Sequence, residues 1–480
     1  MNNNIAKEDI SHIVSVWEYA SKYGKLIDDF YFNSFYTHKE SFFIEKSTPL
    51  HLLAKNGSYE VIKTILTHVE KHHSDRLTEV INIQEEDCAL TPLHIAAGGG
   101  RLSVVRCLVN KGANIYVGKG GYTPLHLAAR LGELNVVRYF NRQGADINSK
   151  NIFGGTALHV AAYRGKLNVV RYLVSKGADI NTNSVEPFFN GTPLHCAVHS
   201  KRPSIVKYLL DRGADVSIED EEGKTPLYRA AGGENLNIVK FLVESGADIC
   251  AKSQKGMIPL YAAAKCGSVS IMRYFIGRGI NINFRDEYGN TMLHLAAGNH
   301  NLNAVEYLIR KGAHINARNK NYSTPLHFAA VHDEVVEYLI YEGAYINAKD
   351  KDGNIPLHIA AMKENASAAQ VLLEYSAELI FPQKAKDDYG WQYSADGKEL
   401  CIVQRFIRKS TSVNFRNKDG NTPLHLAAMK GKVAVANVLL KYNADINTKN
   451  NEGMTALHYA TDGNHQELVE LLLAHNANPF

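Results

Sequence analysis

The sequence predicts an all-α repeat solenoid of about fourteen stacked helix-turn-helix units. Three observations predict it: a four-residue string that returns along the chain, helix start and stop residues at fixed offsets from it, and helices too short to stand alone. The string is T-P-L-H, and its first slot falls at Thr48, Thr91, Thr123, Thr156, Thr192, Thr225, Ile258, Thr291, Thr324, Ile355, Thr422 and Thr455. Successive slots lie about 33 residues apart. The spacing is wider after Thr48 and Thr156, slightly shorter after Thr91 and Thr324, and doubled after Ile355. A period of this size marks units that bury their apolar faces only against neighbours.

The unit at Thr123 shows each element in order. Thr123 is a helix N-cap whose hydroxyl can accept an orphan amide, and Pro124 follows at the first helical position, where its missing N–H costs nothing. Leu125, Leu127, Ala128 and Ala129 give the first helix a small packing face, and Gly132 ends it. A second helix runs through Leu134, Val136, Val137, Tyr139 and Phe140 to Gly144. Ala145-Asp146-Ile147-Asn148 then leads into an extended stretch that turns at Phe153-Gly154-Gly155 before Thr156. Helices this short are marginal alone, since about 12 residues are needed even for good sequences. The stop glycine recurs at Gly112, Gly144, Gly177, Gly213, Gly246, Gly279, Gly312 and Gly343, with Asn443 and Asn476 as the next-best left-handed residue.

The doubled gap from Ile355 to Thr422 holds two periods, so a disguised unit is expected from near Tyr389, with a helix-like run from Glu399 to Ile407. The same subtraction from Thr48 places another at Ser15. Trp17 and Trp391 occupy the leucine slot of these two degenerate units. The organisation reads as a degenerate N-terminal capping repeat over 1–47, repeats over 48–388, a degenerate repeat and hinge over 389–421, and C-terminal repeats over 422–480. Weakness is expected to gather over 331–414: the turn after His332 is shortened, Ser376 and Ser410 occupy glycine slots, and the unit at Tyr389 lacks its cap.

A period of about 33 residues carrying T-P-L-H-x-A resembles the ankyrin-repeat family, and the resemblance covers residues from about 15 to 480. It implies antiparallel helix pairs stacked side by side, β-hairpin fingers projecting from one edge, and a curved array. It also implies protein binding by the finger tips and first helices on a concave face. The density of Asn, Lys, Ile and Tyr, with no accompanying domain, is similar to the multi-ankyrin proteins of intracellular bacteria, some of which enter host cells. That likeness implies a cytoplasmic effector delivered by a non-Sec route.

Composition narrows the function classes. With 45% hydrophobic and 21% charged residues the chain is ordinary folded protein. A net charge of +4 without a dense Lys/Arg block argues against nucleic acid. Cys88, Cys107, Cys196, Cys250, Cys266 and Cys401 stand singly, as reduced thiols do in a cytosol. Residues 1–7 are polar with no signal peptide behind them, and no apolar run is long enough for a membrane span. No catalytic motif, phosphate loop or paired nucleophile and base is present, so no enzyme, cofactor or small-molecule substrate is expected. Ten histidines occupy the motif slot: His51, His94, His126, His159, His195, His294, His327, His358, His425 and His458. They read as neutral imidazoles tying adjacent loops together rather than as a metal array. His68, His72 and His73 lie on an elongated second helix and loop without a third ligand, so no metal site is expected.

The fingers depart from a plain scaffold. Neighbouring tips carry Ile152-Phe153 and Phe188-Phe189, and Tyr122, Tyr288 and Tyr322 take equivalent places elsewhere. Facing them, on the exposed side of first helices, are expected Arg130, Leu131, Tyr163, Arg164 and His199. Aromatics flanked by Arg suit interface anchors. These twelve residues form the expected partner-binding set, and the expected function is a protein–protein interaction scaffold. The alternative is a structural spacer, or the repeat arm of a larger toxin or scaffold system.

Overall fold

The computed structural model describes residues 48–72, 74–85, 89–116, 118–185, 190–378 and 411–479. The expected unit at Ser15 lies outside them, as does the run from 379 to 410. Twenty-five α-helices and no strand occur among the described residues, arranged in two compact units.

The first unit comprises Met1–Pro226 and Lys240–Ala247. Its helices pair in sequence: α1 (Pro49–Asn56) with α2 (Tyr59–His72), then, after the short α3 (Leu77–Ile81), α4 (Pro92–Gly98) with α5 (Leu102–Asn110). There follow α6 (Pro124–Leu131) and α7 (Leu134–Arg142), α8 (Ala157–Tyr163) and α9 (Leu167–Ser175), and α10 (Pro193–His199) and α11 (Pro203–Asp211). The wide interval after Thr48 is the long α2 followed by a 3-10 turn and α3, as its sequence suggested.

The second unit comprises Leu227–Val239 and Asp248–Phe480. The helices α12 (Pro226–Ala231) and α13 (Leu236–Glu244) straddle the division. Beyond it come α14 (Pro259–Cys266), α15 (Val269–Ile276), α16 (Met292–Gly298), α17 (Leu302–Arg310), α18 (Pro325–Ala329) and α19 (Asp333–Tyr341). The last are α20 (Pro356–Lys363), α21 (Ala366–Glu378), α22 (Pro423–Met429), α23 (Val433–Lys441), α24 (Ala456–Asp462) and α25 (Gln466–Ala474).

The core is a row of identical layers. Leu125, Ala128 and Ala129 of α6 and Val136, Val137 and Phe140 of α7 are all buried, and the same slots are buried in the neighbouring pairs. Small alanines let first helices approach closely, while the larger second-helix residues supply about 1.5–3 kcal/mol of burial each. Gly144 follows its helix at φ 81°, with open space where a Cβ would stand, so conformation alone calls for glycine there.

The fingers are turns rather than paired strands. In the second unit, Asp286 N–H donates to Asn290 O and Gly289 N–H to Asp286 O, while Asp286 Oδ1 accepts from the amides of Tyr288 and Asn290. Asn151, Asp220, Asn319, Asp350, Asn417 and Asn450 build the same short loop. A short acceptor side chain mimics the backbone here, so the tip closes without a ladder. Among the described residues the single strand-like pairing is one antiparallel bridge, Ser184 to Gly191.

The doubled interval after Ile355 is crossed by direct contacts. His358, in α20, bonds to Asn421 O at 3.1 Å, and Asn417 Nδ2 donates to Asn354 Oδ1 at 3.0 Å. Lys418 N–H donates to Asp352 O at 2.9 Å. These are the ties that adjacent units make elsewhere, so the units at Ile355 and Thr422 are direct neighbours. The described residues of the two units thus touch directly. The residues from 389 to 410, assigned to the unit expected at Tyr389, lie outside the described residues. Ser376 does not adopt the strained left-handed turn expected of it, because α21 continues through it and its hydroxyl donates to Leu372 O.

Candidate functional site

Most first helices begin with the same clasp. In the unit at Thr91 the threonine amide donates to His94 Nδ1 at 3.1 Å and the threonine hydroxyl lies 2.8 Å from the same nitrogen. Nδ1 is therefore the acceptor, and Nε2 carries the proton. Nε2–H then reaches the next unit's finger, 3.0 Å from Tyr122 O. The hydroxyl donates to the ring and its oxygen accepts the His94 amide, a capping box that includes the expected cap. His51, His126, His159, His195, His294, His327, His358 and His425 repeat the forward contact, to Leu90, Gly155, Thr182, Lys224, Ser323, Asn354, Asn421 and Met454. Burial drives His126, His159, His294 and His358 down to about 4, so all four are neutral at physiological pH. The tie read from the sequence is the one observed.

Two histidine slots hold tyrosine. Tyr261 is fully buried, and its hydroxyl lies 2.6 Å from Phe284 O and 2.8 Å from Asn290 O, so the phenol reaches the same neighbouring finger. Burial pushes that phenol upward.

The tip residues of the first unit are joined through their backbones. Ile152 N–H donates to Gly120 O at 2.9 Å, and Val185 N–H donates to Phe153 O at 2.8 Å. Ser184 Oγ–H also donates to Phe153 O. This threads three consecutive fingers and holds Ile152, 71% exposed, and Val185, 45% exposed, on neighbouring tips. Phe153 and Tyr122 are half-buried, Tyr122 lying edge-on to His126 with ring centroids 5.7 Å apart. Phe188 and Phe189 lie outside the described residues. Gly191 closes that finger at φ 102°, where a Cβ would fall 2.6 Å from the His195 ring.

At the ends of the first helices the structure brings three expected residues together. The rings of Tyr163 and His199 stack, with centroids 5.1 Å apart and planes at 16°, and the Arg164 guanidinium lies 5.6 Å from the Tyr163 centroid. His199 is exposed and the other two are half-exposed. Arg130 departs from expectation: it is buried, because its stem continues the packing face of α6. Leu131 is half-buried over Gly98 of the preceding unit. Tyr288 and Tyr322 are about half exposed and belong to the second compact unit, apart from this set. Tyr322 carries Arg318 at 4.9 Å over its ring.

Sequence reasoning missed two groups. Val185 was passed over because one valine between polar residues gives no pattern. Asn148 was read as part of a lead-in, yet its Oδ1 accepts from Asp179 N–H at 2.8 Å in the next unit. Asn82, Asn181, Asn283, Asn316, Asn414 and Asn447 do the same. The recurring I-N dipeptide was the available signal.

Among the described residues no three His, Cys, Asp or Glu side chains gather as a metal site, and no helix is long and apolar enough to cross a membrane. The rings of His68, half-buried, and His72, exposed, lie 4.6 Å apart on α2 with planes tilted by 38°. A family model for ankyrin repeats, each match spanning up to three copies, fits residues 50–151, 142–220, 158–253, 250–319, 313–382 and 391–480. No curated protein matches the chain.

Proposed function

Since this chain belongs to the ankyrin-repeat family, whose members are generally protein-binding modules, we propose that it is a non-enzymatic scaffold that grips a partner protein with its first compact unit. One observation carries the reading: two apolar side chains, Ile152 and Val185, exposed on adjacent tips whose backbones are bonded to each other. Exposed apolar groups held rigidly side by side suit an anchor for a partner, because little side-chain or loop entropy is lost on binding. The Arg164–Tyr163–His199 stack offers a second, polar-aromatic anchor of the kind enriched at interface hot spots. Phe153, Phe188 and Phe189 extend the apolar tip set, and the concave face of the array completes the grip. A host-directed, cytoplasmic effector is the setting we propose for this scaffold.

Affinity purification with the wild-type chain tests the proposal, repeated with Ile152→Ser, Phe153→Ser, Val185→Ser, Phe188→Ser and Phe189→Ser combined. The expected outcome is a partner bound at least ~30-fold more weakly by the variant, since one hot-spot truncation costs ~2 kcal/mol. The melting curve should not move. Undiminished capture by a folded variant would leave the second reading, a structural spacer, which the repeated forward clasps favour.

A further inference from the structure

The second helices carry a charge pattern that the tips do not use. In the first unit, α5, α7, α9 and α11 hold Arg106, Arg138, Arg142, Arg171 and Lys207 against Asp211 alone. Arg106, Arg138, Arg171 and Lys207 stand at the fifth position of their helices, and all four are exposed. Each lies over an aromatic ring of the next unit: Tyr139 at 5.8 Å, Tyr172 at 5.7 Å, Tyr208 at 5.6 Å and Phe241 at 5.8 Å. None makes an ion pair with a described carboxylate. The rings orient the cations in a row and leave their N–H groups available.

The second unit carries an acidic patch on neighbouring second helices. The fifth position is Arg273 in α15, Glu306 in α17, which pairs with Arg310 at 3.1 Å, and Glu337 in α19. Helix α19 adds Asp333 and Glu334, α21 adds Glu374, and neither helix contains Lys or Arg. Glu334, Glu337 and Glu374 are exposed, Glu337 accepting from Tyr375 Oη–H and Glu374 from Tyr442 Oη–H. Glu337 and Glu374 stand on neighbouring second helices, and packed helices ~8–10 Å apart set the pitch at which Arg106, Arg138 and Arg171 also recur.

We infer that the basic stripe of one molecule docks on the acidic patch of a second copy, so that the chain associates with itself through its second helices, independently of the tips. Exposed pairs are weak singly, but several on neighbouring helices act as one multivalent contact, and one that salt screens strongly. The wild-type chain should show by sedimentation velocity a concentration-dependent mass of at least two copies in about 20 mM salt. The association should weaken at least tenfold by about 300 mM, where the screening length has shortened severalfold.

Charge reversal gives the decisive arms. Arg106→Glu with Arg138→Glu and Arg171→Glu should leave a folded monomer, as should Glu334→Lys with Glu337→Lys and Glu374→Lys. Mixed in equal amounts, the two monomeric variants should associate, because each presents the surface the other lost. Should a reversal fail to fold, the Arg→Gln and Glu→Gln versions at those positions serve instead, each expected to weaken association at least tenfold. A wild-type chain monomeric at every concentration in low salt overturns the inference, as does association indifferent to both reversals. Failure of the mixed variants to pair overturns it too, as does a wild type that binds anionic vesicles or nucleic acid but not itself.

Discussion

Two junctions of the second unit differ in everything the chain can count and in almost nothing the interface can feel. Between the units at Thr324 and Ile355, His327 Nε2 bonds to Asn354 O at 3.1 Å across 27 residues. Between the units at Ile355 and Thr422, His358 Nε2 bonds to Asn421 O at 3.1 Å across 63 residues. The asparagine tie is Asn319 to Asn290 at 2.8 Å one junction earlier and Asn417 to Asn354 at 3.0 Å across the long gap. The tip amides follow suit, Lys351 to Asn321 O at 2.7 Å and Lys418 to Asp352 O at 2.9 Å. Stacking is specified by a few groups at fixed places on each unit. The length of chain joining two units enters only as loop-closure entropy, which grows slowly with length.

Acid should strain this equivalence most. A histidine held near 4 in the folded chain has a lower affinity for protons than in the unfolded chain, where its value is near 6.5. Its stabilising contribution is whole above about 6.5 and is lost as pH falls toward 4. The four histidines at about 4 sum to a slope of roughly 5 kcal/mol per pH unit within that window. Melting temperatures measured from pH 7 down to 5 should therefore fall steeply, with the segments on both sides of the long gap melting together. A flat profile would contradict the buried neutral clasp.

Removing single clasps is the next largest perturbation. His358→Ala and His327→Ala should each cost about 2–4 kcal/mol, since a buried carbonyl and a helix-start amide both lose their partner. Equal losses by denaturant titration would confirm that the two junctions are alike, whereas a silent His358→Ala would show that the long-gap junction is not held by its clasp. Asn417→Ala against Asn319→Ala repeats the test at about 2–3 kcal/mol, because each asparagine gives up its tie and the two amides it accepts in its own loop.

The smallest effect is expected from the largest change in sequence. Deleting residues 377–410 together with Ser376→Gly brings the interval from Ile355 to Thr422 back to a single period and restores the glycine slot. The shortened chain should fold with a melting temperature within a few degrees of the parent, as read by calorimetry. Collapse of α22–α25 on deletion would mean that the excised segment supplies part of the interface.

Much of this was legible in advance. The period, the proline after each cap, the apolar slots and the neutral histidine tie all follow from local chemistry repeated at a fixed spacing. Over the long gap, arithmetic on chain length cannot distinguish a hidden unit from an insertion. An ankyrin-repeat match runs from 391, while the described residues show the units at Ile355 and Thr422 in direct contact. Weakness was expected at Ser376 on the premise that its helix stops there, but α21 runs on to Glu378. At the candidate site, Ile152 was visible as an apolar residue in a polar turn. The burial of Arg130 was not, since a long aliphatic stem packs like a hydrophobe while its sequence letter reads as charge. The side-chain turns that replace paired strands needed only one Asp or Asn per finger, too thin a signal to separate from ordinary loop composition.

The clasp also has a direction. Each clasping histidine ring bonds forward, to a carbonyl of the finger made after its helix pair. On a ribosome, a helix pair leaving the exit tunnel therefore has its clasp half-closed until the finger behind it has followed, the acceptors lying 23–29 residues beyond the ring. Each newly emerged finger supplies the missing acceptor and seals its predecessor. The nascent array thus sets one step behind its own synthesis, with a single unsealed unit at the growing edge.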